Sequence, residues 1–251
     1  MATICPLFSG STGNSTYIST QKGAILVDAG ASFKGLSSAI EKVGGSTEDI
    51  KAVAITHEHI DHIKGLKPLI NKTKATVIAS TKTLETLIEL DKIPKWAETI
   101  AVDNSPLEIG GIILNRFATS HDCEGSSGYT CTLNNAKKIA VCTDLGIVTD
   151  EVRSAIEKSD VLVFESNHDI EMLKKGPYPP SLKIRIMSDK GHISNNACAA
   201  ELVSLLNGGT TRFILAHLSQ NNNLPLLARS CAEAALMDIG AQNKKDYILT
   251  V

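Results

Sequence analysis

Residues 52–65, AVAITHEHIDHIKG, put three histidines and two acidic residues into the six positions 57–62, directly behind a short apolar run. The whole chain holds only seven histidines, so this concentration decides how the surrounding sequence is read. The apolar run ending at Thr56 reads as a buried strand, and a helix starts near His62, which leaves 57–61 as an ordered loop. Residues two apart in an extended segment project to the same side. His57 and His59 can then share one cation, at about 2.0–2.1 Å if it is zinc. Asp61 and His62, an adjacent pair at the turn, can face a second cation. Two ions about 3.5–4 Å apart can clamp a phosphoryl or acyl oxygen, and one ion alone would not need the second pair. A polar helix start capped by Asp61, with exposed histidines, is the bland alternative. The full His-x-His-x-Asp-His spacing behind a buried strand outweighs it.

Outward from that stretch the same placement recurs. Asp28 follows AILV, His121 follows LNRFATS, Asp144 follows IAVCT, His168 follows VLVFESN and His217 follows FILA. Each stands at or just past the C-terminal end of a strand-like run, where α/β folds gather their ligand-binding loops on a rigid scaffold. Strand-like runs dominate the first half, with helix-like stretches at SFKGLSSAIEKVG and TKTLETLIEL. In the second half helices and strands alternate: 149–158, VLVFES, SNNACAAELVSLL, RFILA, PLLARSCAEAALMDIG and YILTV. Strands and helices in both halves predict a single domain over 1–251, a four-layer αββα sandwich of two packed mixed sheets with helices outside.

Composition narrows the chemistry. The chain has 251 residues, 43% of them hydrophobic, and a net charge of −2, which gives no global pull toward nucleic acid or an anionic membrane. A polyanionic substrate would need a local basic patch, and two exist: Lys64, Lys67, Lys72 and Lys74, and Lys174, Lys175, Lys183, Arg185 and Lys190. Either patch alone reads more simply as a solvated face. Six cysteines without a CxxC pair read as reduced thiols in a cytoplasmic protein, Cys142 among the buried ones. No stretch reaches the ~18 apolar residues of a membrane span.

With these residues in place, the chain resembles the metallo-β-lactamase superfamily, whose signature is His-x-His-x-Asp-His on a strand-to-helix loop. SGSTGNSTYI, ILVDAG, TSHD, VCTDLG, FESNHD, KGPYPPSLK, GHISN and AHLSQNN occur in an order similar to its YycJ/WalJ-type branch. That branch is akin to the phosphodiesterase-like members. The resemblance implies that His57, His59 and His121 hold one metal, that Asp61, His62 and His217 hold a second, and that Asp144 bridges them. A carboxylate suits bridging, having two oxygens for two ions. It further implies that His192 of GHISN contacts the scissile phosphate and assists the leaving group. Ser194, His168 and Ser219 stand near it as substrate-binding candidates. Ser194 at a helix start could add free N–H groups to a phosphate site, while for His168 structural packing is an equal alternative. Asp28 and Thr56 would orient the ligands, or cap loops.

The reaction this implies is hydrolysis at phosphorus by hydroxide activated on two divalent ions, Zn²⁺ or Mn²⁺ or Fe²⁺. Asp61, Asp144 and His192 are its catalytic candidates, and nucleic acid is the expected substrate, with 5′-to-3′ exonuclease action on DNA favoured. A thioesterase or a small-molecule phosphodiesterase on the same metals is the rival, because one scaffold serves several chemistries. A metal-stabilised interaction module is a third reading. A structural zinc site closes with four ligands, so the larger donor set argues against it.

Overall fold

The computed structural model describes residues 2–251, which form two mixed sheets with helices. They divide into two compact units: residues up to Phe117 with Cys123–Ala136, and Ala118–Asp122 with Lys137–Val251.

The first unit carries a six-stranded sheet in sequence order: β1 (Thr3–Phe8), β2 (Ser15–Thr20), β3 (Gly23–Val27), β4 (Ile50–Ala54), β5 (Thr76–Ala79) and β6 (Thr99–Ala101). The pairs β1–β2 and β2–β3 are antiparallel, and β3 to β6 run parallel. Parallel strands covered on both faces read as unbroken apolar runs, and β3, β4 and β5 are buried almost throughout. Four helices join them: α1 (Phe33–Lys42), α2 (Ile60–Ile63), α3 (Leu66–Thr73) and α4 (Thr81–Glu89). Helix α1 starts at Ser32, whose hydroxyl accepts the Gly35 N–H, and buries Leu36 and Ile40 one turn apart. These two join Leu26, Val53, Leu69 and Val77 in the core. Strands β7 (Leu107–Ile109) and β8 (Ile112–Ala118) pair antiparallel, and β9 (Ser127–Leu133) follows.

The second unit is built on four parallel strands in the order β13-β12-β11-β10: β10 (Lys138–Cys142), β11 (Val161–Glu165), β12 (Arg212–Ala216) and β13 (Ile248–Thr250). Between them run α5 (Asp150–Ile156), α6 (Ile170–Lys175), α7 (Pro180–Ile186), α8 (Asn195–Asn207) and α9 (Pro225–Asp238). Helices α8 and α9 pack on each other, α8 burying Cys198, Leu202 and Leu205. Cys142 pairs with Phe164 and Phe164 with Leu215. The shared register brings Asp144, Ser166 and His217, each two residues further on, to one rank at the strand ends. No helix among the described residues is long and apolar enough to cross a membrane.

One local expectation shifts. Helix α2 begins at Ile60 rather than near His62, with His59 as its N-cap residue, because the His62 N–H reaches the His59 carbonyl at 2.9 Å. Asp61 and His62 therefore sit inside the first turn.

Candidate functional site

In the first unit the loop after β4 is pinned from below by Asp28. This residue closes β3 with a left-handed backbone (φ 64°), a conformation that Asp tolerates better than most side chains. Its carboxylate accepts the Thr56 N–H at 2.8 Å and the Thr56 hydroxyl at 2.9 Å, and lies 2.8 Å from His62 Nδ1. Burial pushes the Asp28 carboxyl up, while His62 and Thr56 pull it down. A carboxylate at Nδ1 holds the hydrogen there and leaves Nε2 with its lone pair, the arrangement metal-binding imidazoles share. Thr56 Oγ1 also lies 3.0 Å from His57 Nδ1, which turns His57 Nε2 toward His59 Nδ1 at 3.0 Å. Two donors on a tetrahedral ion with bonds of 2.0–2.1 Å would stand about 3.3 Å apart, so this pair fits one ion closely. His59 Nε2 is 3.3 Å from Cys123 Sγ.

The Gly/Ser loop before β2 completes this cluster. Asn14 donates to Asp61 Oδ2 at 3.1 Å, and its amide lies 3.0 Å from His62 Nε2. The Asn14 N–H also donates to the Asp61 carbonyl at 2.7 Å. Gly30 lies against the same turn, and a Cβ there would stand 1.6 Å from the Asp61 carbonyl oxygen. From behind, the buried Tyr129 hydroxyl donates to the Ile55 carbonyl at 2.7 Å.

The second unit gathers His121, Asp144, His192 and His217 around a residue the sequence reading did not single out, Glu165. It is fully buried at the end of β11. Its Oε1 lies 2.9 Å from His192 Nδ1 and 2.8 Å from His217 Nδ1. Its two oxygens also accept the N–H groups of Asp144 at 3.2 Å and Ile193 at 3.0 Å. Burial opposes its charge, yet the two imidazoles hold the carboxyl below the usual carboxylate range. Oxygen and nitrogen donors of Asp144, Glu165, His192 and His217 come close enough together to hold a cation. His217 Nε2 stands 3.5 Å from Asp144 Oδ1, and His121 Nε2 3.9 Å from the same oxygen. His121 is oriented by the Gly191 carbonyl, 3.1 Å from Nδ1, and burial lowers its pKa. Asp144 and His217 also have left-handed backbones, φ 59° and 55°. The signal for Glu165 was present, an acid ending the apolar run VLVFE, but its partners lie 27 and 52 residues away in the chain.

Other candidates take quieter places. The Ser194 hydroxyl caps α8, accepting the Ala197 N–H at 3.2 Å. The Ser219 hydroxyl accepts the Asn222 N–H at 3.2 Å within its own turn. His168 is buried and pairs with Ser194 as an isolated β-bridge. Cys142 is fully buried, and burial raises its thiol pKa well above normal, so it stays a neutral core residue. The basic patches are partly spent on local partners. Lys67 binds Asp91 at 2.6 Å, Lys74 lies over Trp96, Lys174 and Lys175 share Glu171, and Arg185 is paired with Asp122.

Residues 24–218 match the family described as the beta-lactamase superfamily domain. The chain is 38% identical over 235 residues to exodeoxyribonuclease YycJ of Bacillus anthracis, spanning 93% of this chain and 89% of that one. It is 37% identical over 225 residues to exodeoxyribonuclease WalJ of Streptococcus pneumoniae serotype 2, spanning 88% and 83%. Among solved structures it is similar to the metallo-β-lactamase fold protein YhfI of Bacillus subtilis, with TM-score 0.72, 18% identity and 92% of both chains covered. That likeness establishes the α/β metallo-β-lactamase fold expected from the sequence.

Proposed function

The chain belongs to the beta-lactamase superfamily, and from that premise we propose that it is a metal-dependent phosphodiesterase that degrades DNA from the 5′ end. The observation that carries this reading is the 37–38% identity, over most of both chains, to two proteins named exodeoxyribonucleases. Divalent metal binding is supported by the fold and by the donor set. His62 and His217 each have Nδ1 tied to a buried carboxylate, the arrangement that makes Nε2 the ligating atom of a metal-bound imidazole. We assign two ions, zinc or manganese or ferrous iron, with His57, His59 and His121 on one, Asp61, His62 and His217 on the other, and Asp144 on both. We read residues 1–251 as one domain, since the family match over 24–218 draws on residues of both units.

Bound ions would supply Lewis acidity, activating water and neutralising phosphodiester charge. The chain's own residues do the positioning. Asp28 and Thr56 fix His57 and His62, and Glu165 fixes His192 and His217. His192 keeps 19% of its side chain exposed. With Nδ1 held by Glu165, its Nε2 is the atom available to hydrogen-bond the scissile phosphate and to protonate the leaving oxygen. Asp61, steadied by Asn14, can relay a proton. The residue Ser194 sets the helix start behind His192, and Ser219 shapes the turn after His217. We place the protein in the cytoplasm, in keeping with cysteines held as thiols, Cys131, Cys142 and Cys198 buried among them.

The test is to incubate the purified chain, loaded with Zn²⁺ or Mn²⁺, with end-labelled DNA, RNA and a glutathione thioester. Stepwise release of nucleotides from 5′ ends of DNA, abolished by chelator, is expected. Intact DNA and RNA beside a cleaved thioester would overturn the assignment in favour of thioester hydrolysis.

A further inference from the structure

In the first unit the sulfur of Cys123 stands 3.3 Å from His59 Nε2, while the same ring turns its Nδ1 to His57 Nε2 at 3.0 Å. The turn that brings the thiol there is fixed. Gly125 holds a left-handed backbone (φ 83°), and a Cβ on it would stand 2.4 Å from Ser80 Oγ. Its carbonyl accepts the Ser127 hydroxyl at 2.7 Å and the Ser80 hydroxyl at 2.9 Å. Arg116 Nε in turn donates to Ser127 Oγ at 2.6 Å. The Cys123 carbonyl accepts the Ser126 N–H at 3.4 Å, which closes the turn ahead of β9.

Hydrogens can be placed along this row of groups. The Thr56 hydroxyl gives its hydrogen to Asp28 Oδ2, so Thr56 Oγ1 accepts from His57 Nδ1 at 3.0 Å. A neutral imidazole carries one ring hydrogen, which leaves His57 Nε2 a lone pair. His59 Nδ1, facing that lone pair, has two compatible states. Without a cation it carries the hydrogen and donates to His57 Nε2, and His59 Nε2 is then an acceptor. With a cation shared by the two rings, both facing nitrogens offer lone pairs, and the His59 hydrogen is on Nε2. The group opposite Nε2 therefore has to donate in one state and accept in the other. Carboxylates and carbonyls only accept, and these are the partners at Nδ1 of His62, His217 and His121. A thiol has a hydrogen to give and lone pairs to receive, weakly in each role.

We propose that Cys123 is the positioning residue of His59: its thiol donates to Nε2 while the ring is metal-free and accepts from Nε2–H once Nδ1 holds a cation. On binding, the Nδ1 hydrogen leaves to water and Nε2 takes one from water, so the ring stays neutral and the thiol turns its own hydrogen away. The assignment rests on the metal-binding part of the reading above and needs nothing of the substrate. His62 meets a cation with its ring hydrogen already fixed by Asp28, whereas His59 has to exchange its own. That makes His59 the adjustable ligand, and sulfur, a weaker partner than a carboxylate, lets the hydrogen move.

Two measurements read the ring and the ion rather than turnover. Protein with nitrogen-15 in its histidine rings is titrated with Zn²⁺, the His59 signals being those lost in His59→Gln. In the metal-free wild type the ring hydrogen should be found on Nδ1, and on Nε2 once zinc is bound. Zinc affinity, from competition with a chromophoric chelator, should fall about tenfold in Cys123→Ala, the low end of the range for outer partners of a metal ligand. Cys123→Ser should restore most of it, because a hydroxyl also donates and accepts. A ring hydrogen that stays on one nitrogen when zinc binds overturns the proposal, and that measurement needs only the wild type if Cys123→Ala does not fold. Equal zinc affinity in Cys123→Ala and the wild type overturns it as well. A wild-type chain that binds no zinc overturns the metal assignment and the proposal with it. Zinc bound and the hydrogen moved, with DNA left intact, keeps the proposal and removes the nuclease reading alone.

Discussion

Glu165 is a single carboxylate on which two imidazoles and at least two backbone N–H groups depend. Glu165→Gln keeps the shape but turns one end into a donor facing donors. Breaking a buried charge pair from one side costs about 3–5 kcal/mol. A fall in Tm of about 6–15 °C is expected for a chain of this size, read by calorimetry in chelator. A shift under about 2 °C would mean that the imidazoles find other partners. Asp28 acts one step back from the ligands, so Asp28→Ala should weaken metal binding about 10–100-fold with a smaller change in fold stability, measured by competition with a chromophoric chelator. The histidines set a pH dependence. His121 and His168 are neutral and buried, with pKa values below the ordinary 6.5, to about 4 for His168. Between those values the unfolded chain binds protons that the folded chain refuses. Stability of the metal-free protein is therefore full above about 6.5 and declines as pH falls toward 4. His168→Gln should flatten that decline in urea midpoints taken across the interval, and an unchanged slope would contradict the burial argument.

At the scale of elements, the sequence was most legible where periodicity and caps agree. Helices α1, α4 and α8 begin behind Ser32, Ser80 and Ser194, each of which accepts an N–H two or three residues inside its helix. Apolar runs marked β3, β4, β10, β11 and β12, and the polar residues just beyond them were readable because chemistry sits at strand ends. Short-range detail was less legible. The first turn of α2 is set by a His59 carbonyl bond that no propensity reveals. Asn14 acquires its role only when the loop before β2 folds onto Asp61. Ser194 permits a test that separates capping from substrate contact. Ser194→Ala should cost about 1 kcal/mol of stability, and Ser194→Asp should restore it, since Asp caps equally well. If thermal stability recovers in Ser194→Asp while kcat/KM does not, the hydroxyl also meets substrate.

For the whole molecule, composition said little beyond a globular chain without strong charge, and the functional reading came from the order of a few short motifs along 251 residues. What composition could not convey is which basic residues are spoken for, and the partners of Lys67, Lys174, Lys175 and Arg185 supply that. Metal content is a property of the entire chain. Elemental analysis of protein purified without chelator should give two ions per polypeptide. Their removal should lower Tm, because a ligand that binds only the folded state stabilises it by mass action. One ion per chain would remove the bridging role assigned to Asp144.

Asp28, Asp144 and His217 all carry left-handed backbones at the ends of strands. For side chains other than glycine such a conformation costs roughly 1–2 kcal/mol, somewhat less for Asp and His. A laboratory campaign that rewards heat resistance alone would be drawn toward glycine at Asp144, where the chain would relax, and held back at Asp28 and His217, whose side chains satisfy the buried His62, Thr56 and Glu165. Its winners would be sturdier and inert, so any hunt for a tougher version of this protein has to score turnover in every round.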